Sequence, residues 1–150
     1  MDNRPIGVFD SGIGGLTVVD ALAKSLPNET IYYVGDTARV PYGNKGKRRI
    51  QQYASEITNW LNKKDCKLII VACNTVSALA LKYLSSNFSI PIIGVIESGV
   101  NIGIQMNRNN KIAVLGTSAT IRSNAYGKKI KSAKPDTLVI SQACPLFVPL

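Results

Sequence analysis

Short, continuous apolar runs alternate along the chain with segments whose apolar residues recur at helical spacing, and this alternation limits the folds open to it. The apolar runs lie at 6–9, 31–34, 68–72, 92–96, 112–115 and 138–140. Most are too uniformly apolar for a sheet with one solvated face, so they indicate parallel strands covered on both sides. Helices are predicted at 16–26, 50–61 and 76–84. This order predicts a three-layer α/β fold with right-handed crossovers.

A change in pattern after residue 96 predicts a domain boundary near residue 97 or 98. Glu97-Ser98-Gly99 opens a weaker helical stretch, and a polar turn at 107–110 precedes a new strand. We therefore expect a first α/β domain at 1–97 and the beginning of a second, similar α/β domain at 98–150. About 50 residues are few for an independent core, so we expect this second domain to be truncated.

The composition argues against several functional classes. The 150 residues contain no histidine, which excludes histidine acid–base chemistry and disfavours zinc or haem ligation. Three widely spaced cysteines, Cys66, Cys73 and Cys144, fit neither a disulfide framework nor paired zinc ligands. The first residues, Met1 to Pro5, do not resemble a secretory signal, and no apolar run approaches the roughly 18 residues of a membrane span. We expect a cytoplasmic protein with no metal and no membrane partner.

The net charge of +9 raises the question of nucleic-acid binding. The two basic clusters are Lys45, Lys47, Arg48 and Arg49, and Lys128, Lys129, Lys131 and Lys134. Neither is interleaved with aromatic residues as a base-stacking surface would be. The clusters indicate a solvated basic face, which could attract an anionic small substrate, and no nucleic-acid partner is expected.

Small polar residues follow most of the predicted strands, where a parallel α/β sheet binds its ligands. They are Asp10-Ser11-Gly12-Ile13-Gly14-Gly15, Gly35-Asp36-Thr37 with Pro41-Tyr42-Gly43, Cys73-Asn74-Thr75, Glu97-Ser98-Gly99, and Gly116-Thr117-Ser118-Ala119-Thr120. We expect these segments to line one pocket.

Cys73 lies between a buried strand and the start of a helix. The helix would direct free N–H groups and the positive end of its dipole at the sulfur, which predicts a lowered pKa and a reactive thiolate. The alternative is a buried, inert thiol, the usual state of a free cysteine. Cys66 and Cys144 are interpreted as structural.

The glycine loop after the first strand has two interpretations. Its glycines can serve a tight turn, or they can form a dinucleotide site with Asp36 on the ribose. The third glycine of G-x-G-x-x-G is missing, Asp10 stands where a pyrophosphate would approach, and no Walker pattern is present. A Rossmann-like nucleotide-binding module stays open as an alternative class.

Six separated segments together resemble the glutamate racemases of the cofactor-independent aspartate/glutamate racemase superfamily, in order and spacing, over nearly the whole chain. They are Phe9-Asp10-Ser11-Gly12-Ile13-Gly14-Gly15, Gly35-Asp36 with Arg39-Val40-Pro41-Tyr42-Gly43, Ala72-Cys73-Asn74-Thr75, Gly94-Val95-Ile96-Glu97, Gly116-Thr117 with Thr120, and Ala143-Cys144-Pro145-Leu146-Phe147-Val148-Pro149-Leu150. Aspartate racemase or another member of the superfamily is the alternative within the same resemblance.

The resemblance implies a two-base racemase that interconverts L- and D-glutamate without a cofactor and supplies D-glutamate for peptidoglycan. Cys73 matches one proton-transferring cysteine, and Asp10 would assist it. The matched substrate-binding residues are Asp10, Ser11, Pro41, Tyr42, Gly43, Asn74, Thr75, Thr117 and Thr120. Glutamate is the implied small-molecule partner, and a homodimer of the full-length chain stays open.

The sequence departs from the family pattern at three points. The second cysteine, in a Thr-x-Cys-Thr-His-Tyr-Pro-like block, and a glutamate after Phe-Val-Pro-Leu both belong beyond residue 150. Cys144 lies in a different block and cannot be assumed to replace that cysteine. Glu97-Ser98-Gly99 stands where the family usually has Glu-Pro-Gly, with only a local effect expected. We expect the 150 residues alone to have little or no racemase activity.

Overall fold

Parallel strands form two sheets in the computed structural model of the chain, which describes residues 2–148. Met1 lies outside the described residues, as do Pro149 and Leu150 at the end of the last sequence block. The main sheet has the order β2-β1-β3-β4, and the second sheet pairs β5 with β6. The strands are β1 (Ile6–Asp10), β2 (Ile31–Gly35), β3 (Leu68–Val71), β4 (Ile92–Gly94), β5 (Lys111–Gly116) and β6 (Leu138–Ala143). The predicted parallel-sheet α/β fold is confirmed.

Helices connect the strands and cover the sheets. They are α1 (Leu16–Ser25), α2 (Lys47–Lys63), α3 (Asn74–Leu79), α4 (Leu81–Asn87), α5 (Val95–Met106), α6 (Ser118–Ser123) and α7 (Ala125–Ala133), with 3-10 turns at Tyr42–Asn44 and Pro145–Phe147. The helix predicted at 76–84 is two helices that meet at Ala80. No helix within the described residues is long and apolar enough to cross a membrane.

The central strands of the main sheet, β1 and β3, are buried on both faces, as their apolar sequences predict, whereas the edge strands expose Tyr32 of β2 and Ile93 of β4. Phe9 of β1 belongs to the core under α2, α3 and α4, whereas Ile6 and Val8 belong to a separate core that packs against α1. This division follows the alternation of side chains along a strand. A third core, around Val114 and Ile130, fills the space between the second sheet and its helices.

The predicted strand at 92–96 is too long, and this prediction is wrong at its last two residues. β4 ends at Gly94, and Val95 and Ile96 begin α5. A short apolar run does not distinguish a strand from the buried first turn of a helix. Ile96 packs in the third core, and Glu97, in the first turn of α5, forms an ion pair with Lys129 at 3.1 Å.

Gly35, at the end of β2, is needed for the close approach of two loops. A Cβ at this position would lie 2.3 Å from the carbonyl oxygen of Gly12. We expect Gly35→Ala to lower the free energy of unfolding by about 2 kcal/mol because the backbone would have to shift. Gly103→Ala is the matched control, since a Cβ at this position of α5 meets no other atom. This substitution should raise the free energy of unfolding by about 0.5–1 kcal/mol, because alanine favours the helix more than glycine does. Urea unfolding measures both, and equal stabilities would contradict this account.

Candidate active site

A cavity of about 790 Å³ opens at the carboxyl ends of β1, β3 and β5. The predicted site residues that line it are Asp10, Ser11, Tyr42, Gly43, Cys73, Asn74, Thr75, Thr117 and Thr120. The strand ends therefore bring these separated segments together. Leu115 of β5 and Phe147 of the last 3-10 turn also contribute apolar surface.

Pro41 and the segment Glu97-Ser98-Gly99 are absent from the described cavity lining. The Pro41 carbonyl accepts a hydrogen bond from Lys45 Nζ at 2.9 Å. The expectation that Glu97-Ser98-Gly99 lines the pocket is wrong. α5 begins directly after Gly94, so Glu97 turns toward Lys129 on α7, while Val95 is the α5 residue that reaches the cavity.

Cys73 lies between β3 and α3 and is only 5% exposed. Its thiol donates a hydrogen bond to Ser11 Oγ at 3.3 Å. Burial raises the pKa of Cys73, and the charge of Asp10 raises it further. Hydrogen bonds that the Ser11 side chain and the backbone of Val76 and Ser11 can make to the thiolate act in the opposite direction. The predicted lowering of this pKa is therefore wrong for the free protein. α3 has only six residues, and its N-terminus does not outweigh the loss of hydration.

The glycine loop folds around the carboxylate of Asp10. Asp10 Oδ2 accepts a hydrogen bond from the Gly12 N–H at 3.0 Å, and Tyr33 Oη donates to the Gly12 carbonyl at 2.7 Å. A Cβ on Gly15 would lie 2.6 Å from Asp10 Cβ. The glycines thus serve a tight turn and close packing, the first of their two interpretations.

Asp36 is engaged inside the protein and is 8% exposed. Its carboxylate accepts a hydrogen bond from Tyr42 Oη and pairs with Arg39 Nε at 2.7 Å. Burial and this carboxylate raise the pKa of Tyr42 well above its usual range. Asp36 is also absent from the described cavity lining, so the geometry does not support a role in holding a ribose. Instead, it fixes the turn that presents Tyr42 and Gly43.

Three threonine hydroxyls connect the main sheet to the second sheet. Thr75 Oγ1 lies 2.9 Å from Thr117 Oγ1 and 3.4 Å from Thr120 Oγ1, and the last two are 3.0 Å apart. Thr117 also caps α6 by accepting from the Thr120 N–H. A Cβ on Gly43 would lie 2.6 Å from Thr117 Cβ, so the turn at Gly43 packs directly on this cluster.

Tyr126 is a cavity residue that sequence reasoning missed. It lies on α7, and its hydroxyl donates to Asn74 Oδ1 at 2.6 Å. The two residues are 52 positions apart, and no local pattern around Tyr126 signals the contact.

The cavity offers an anion mainly neutral donors. Asp10 is the only carboxylate among its described lining residues, and neither lysine nor arginine is among them. Hydroxyl groups, the Asn74 amide and backbone N–H groups can hold carboxylate oxygens, while a buried thiol beside them can exchange a proton once it ionises. No group of three His, Cys, Asp or Glu side chains in the described part of the chain is arranged to hold a metal ion.

Comparison with known proteins gives one consistent family. The family model described as Asp/Glu/hydantoin racemase matches residues 6–145. Glutamate racemase from Geobacter metallireducens is 50% identical over 147 residues, which cover 98% of this chain and 54% of that protein. The chain spans about half the length of the curated relatives it matches.

Solved structures agree with the sequence comparison. The crystal structure of glutamate racemase from Francisella tularensis in complex with D-glutamate is similar with a TM-score of 0.91 at 47% identity, covering 99% of this chain and 56% of that one. A glutamate racemase from Bacillus anthracis gives a TM-score of 0.95 at 40% identity, with the same coverage.

The opposing effects of Asp10 and Ser11 on Cys73 can be measured by alkylation. Asp10→Asn should lower the pKa of Cys73 and speed its alkylation several-fold, because a nearby negative charge is removed. Ser11→Ala should slow alkylation, because the thiolate loses a hydrogen-bond donor. Rates for each cysteine peptide, followed by mass spectrometry from neutral to alkaline pH, test both variants. Partly exposed Cys144 should react before Cys73 in the parent chain, and the reverse order would contradict the burial argument.

Proposed function

The chain belongs to the Asp/Glu/hydantoin racemase family, and from that premise we propose that it forms the part of a glutamate racemase that carries one of two proton-transfer bases. The observation that carries the proposal is the Cys73 thiol, held by Ser11 in a cavity whose other polar groups suit an amino acid with two carboxylates. The relatives named above are glutamate racemases, and this chain matches about half the length of each.

Substrate charge provides a reason for the thiol to ionise. We assign the substrate ammonium group to the neighbourhood of Asp10, the one carboxylate of the described cavity lining. Burial is the main cause of the raised pKa of Cys73, and the charge of Asp10 is the second; an ammonium there offsets the second cause and so favours the thiolate. The base then forms when the substrate is present.

The thiolate removes the α-proton from one face of the substrate. Threonine hydroxyls and the backbone N–H groups at the N-termini of α3 and α6 hold the two carboxylates of the substrate. Those at the α-carboxylate also stabilise the negative charge that develops there as the proton leaves. Return of a proton on the opposite face inverts the configuration. This step needs a second acid–base group across the substrate from Cys73, in its protonated form, because it must donate the proton.

The other cysteines are poorly placed for that second role. Cys66 is buried beside Gly7, near the opposite end of β1, and neither Cys66 nor Cys144 is among the described cavity residues. We therefore assign the second base to a part of the protein outside these residues. The same proposal includes a cytoplasmic enzyme that supplies D-glutamate for peptidoglycan, and a homodimer of the full-length chain stays a prediction.

A chimera tests the proposal, with this chain replacing the matched half of the Geobacter metallireducens glutamate racemase. We expect it to interconvert L- and D-glutamate, and to prefer glutamate to aspartate. Cys73→Ala should reduce kcat by about three orders of magnitude, the usual contribution of a general base. Optical rotation or a coupled assay follows the reaction.

Cys144→Ala is the matched control and should retain the activity of the chimera. A folded chimera that is inactive, or one in which Cys73→Ala keeps its activity, would contradict the proposal. Faster turnover of aspartate than of glutamate would favour an aspartate racemase. Tight binding of NAD by the 150-residue chain would favour the nucleotide-binding alternative.

The 150 residues alone should bind glutamate weakly and show no measurable net racemisation, because one base cannot serve both faces of the α-carbon. L-Glutamate titrated into the chain, with chemical shifts of the Ser11 and Thr75 amides as the readout, measures binding. A racemisation assay on the same sample measures turnover. Robust turnover would contradict the assignment and make Cys144 the next candidate for the second base.

A further inference from the structure

Tyr126 joins the second sheet's helices to the residue next to Cys73. Its hydroxyl donates to Asn74 Oδ1 at 2.6 Å, and both side chains line the cavity. Asn74 is the first residue of α3 and is exposed. Within the described residues, Tyr126 is the only hydrogen-bond partner of its side chain. The contact therefore decides which way the amide faces.

An asparagine amide has one acceptor end and one donor end, and they lie on opposite sides of the group. With Oδ1 occupied by Tyr126, the two N–H donors of Nδ2 are directed away from that hydroxyl. We propose that Tyr126 is a positioning residue that orients the Asn74 amide, so that Nδ2 donates to a substrate carboxylate. This inference rests on the proposed function, because it names a binding contact for the same substrate.

The hydroxyl of Tyr126 is suited to this role at any physiological pH. Burial raises its pKa, so the group stays a donor well into the alkaline range. Its ring has a separate function, since it packs against the third core with Ile96 and Val100. Tyr126→Phe removes the hydrogen bond and keeps this packing, which makes the two roles separable.

Kinetics of the chimera test the inference through a double-mutant cycle. Tyr126→Phe should raise KM for glutamate about five-fold with little change in kcat, the effect of one neutral hydrogen bond. Asn74→Ala should raise KM at least as much. The double variant should match Asn74→Ala alone, because Tyr126 acts through Asn74. Additive effects, or a fall in kcat at unchanged KM, would overturn the inference.

One further variant distinguishes orientation of the Asn74 amide from a simple link between Tyr126 and Asn74, and a second serves as the control. Asn74→Asp can still accept from Tyr126 but has lost its N–H donors, so it should bind glutamate as weakly as Asn74→Ala. Parent-like affinity in Asn74→Asp would mean that only the link matters and would overturn the inference. Tyr83→Phe, on the exposed face of α4, is the matched control and should leave both KM and kcat unchanged.

A measurement without catalysis keeps this inference distinct from the proposed function. In the 150-residue chain, the ¹⁵N side-chain resonances of Asn74 should shift toward those of a free amide in Tyr126→Phe and not in Tyr83→Phe. An unchanged Asn74 amide would overturn the inference even if the chimera racemises glutamate. A shifted amide in a protein that neither binds nor turns over glutamate would support the orientation and overturn its link to this substrate.

Discussion

The pairing of β1 with two parallel neighbours determines where everything else in the site can lie. Phe9 stands opposite Val34 of β2 and Val71 of β3, and the Ala72 N–H continues the ladder by donating to the Phe9 carbonyl at 2.9 Å. Because the three strands are in register and end together, the loops that follow them open at one edge. A slip of one residue in a strand would turn every one of its side chains to the other face of the sheet.

The same packing that places Cys73 also makes its ionisation costly in the free protein. A thiol that ionised readily in the absence of ligand would be open to alkylation and oxidation, whereas a buried, protonated thiol is inert. In the mechanism that we propose, Cys73 stays protonated until the charge of the substrate enters the site. Under the same proposal Asp10 has a double effect, since its charge raises the pKa of Cys73 and its carboxylate would bind the substrate ammonium group.

The sequence predicted those features that depend on local pattern. Alternating apolar runs were sufficient for the parallel α/β fold, and the residues after each strand indicated most of the cavity lining. The strand end at Gly94 was misjudged because Val95 and Ile96 are equally apolar in a buried helix. The pKa of Cys73 was predicted in the wrong direction because a helix start is visible in sequence, whereas the depth of burial is not. The contact of Tyr126 with Asn74 depends on tertiary packing alone.

No lysine or arginine is among the described residues that line the cavity. The rate at which an anionic ligand associates and the rate at which it dissociates therefore depend on different parts of the protein. The 150 residues carry a net charge of +9, and that field is screened over about 8 Å at physiological salt. Rising ionic strength therefore slows the encounter of an anionic ligand with the protein. Dissociation depends on short hydrogen bonds to hydroxyls and amides, which salt barely affects. The outer surface sets the association rate of such a ligand, and the cavity wall sets its residence time.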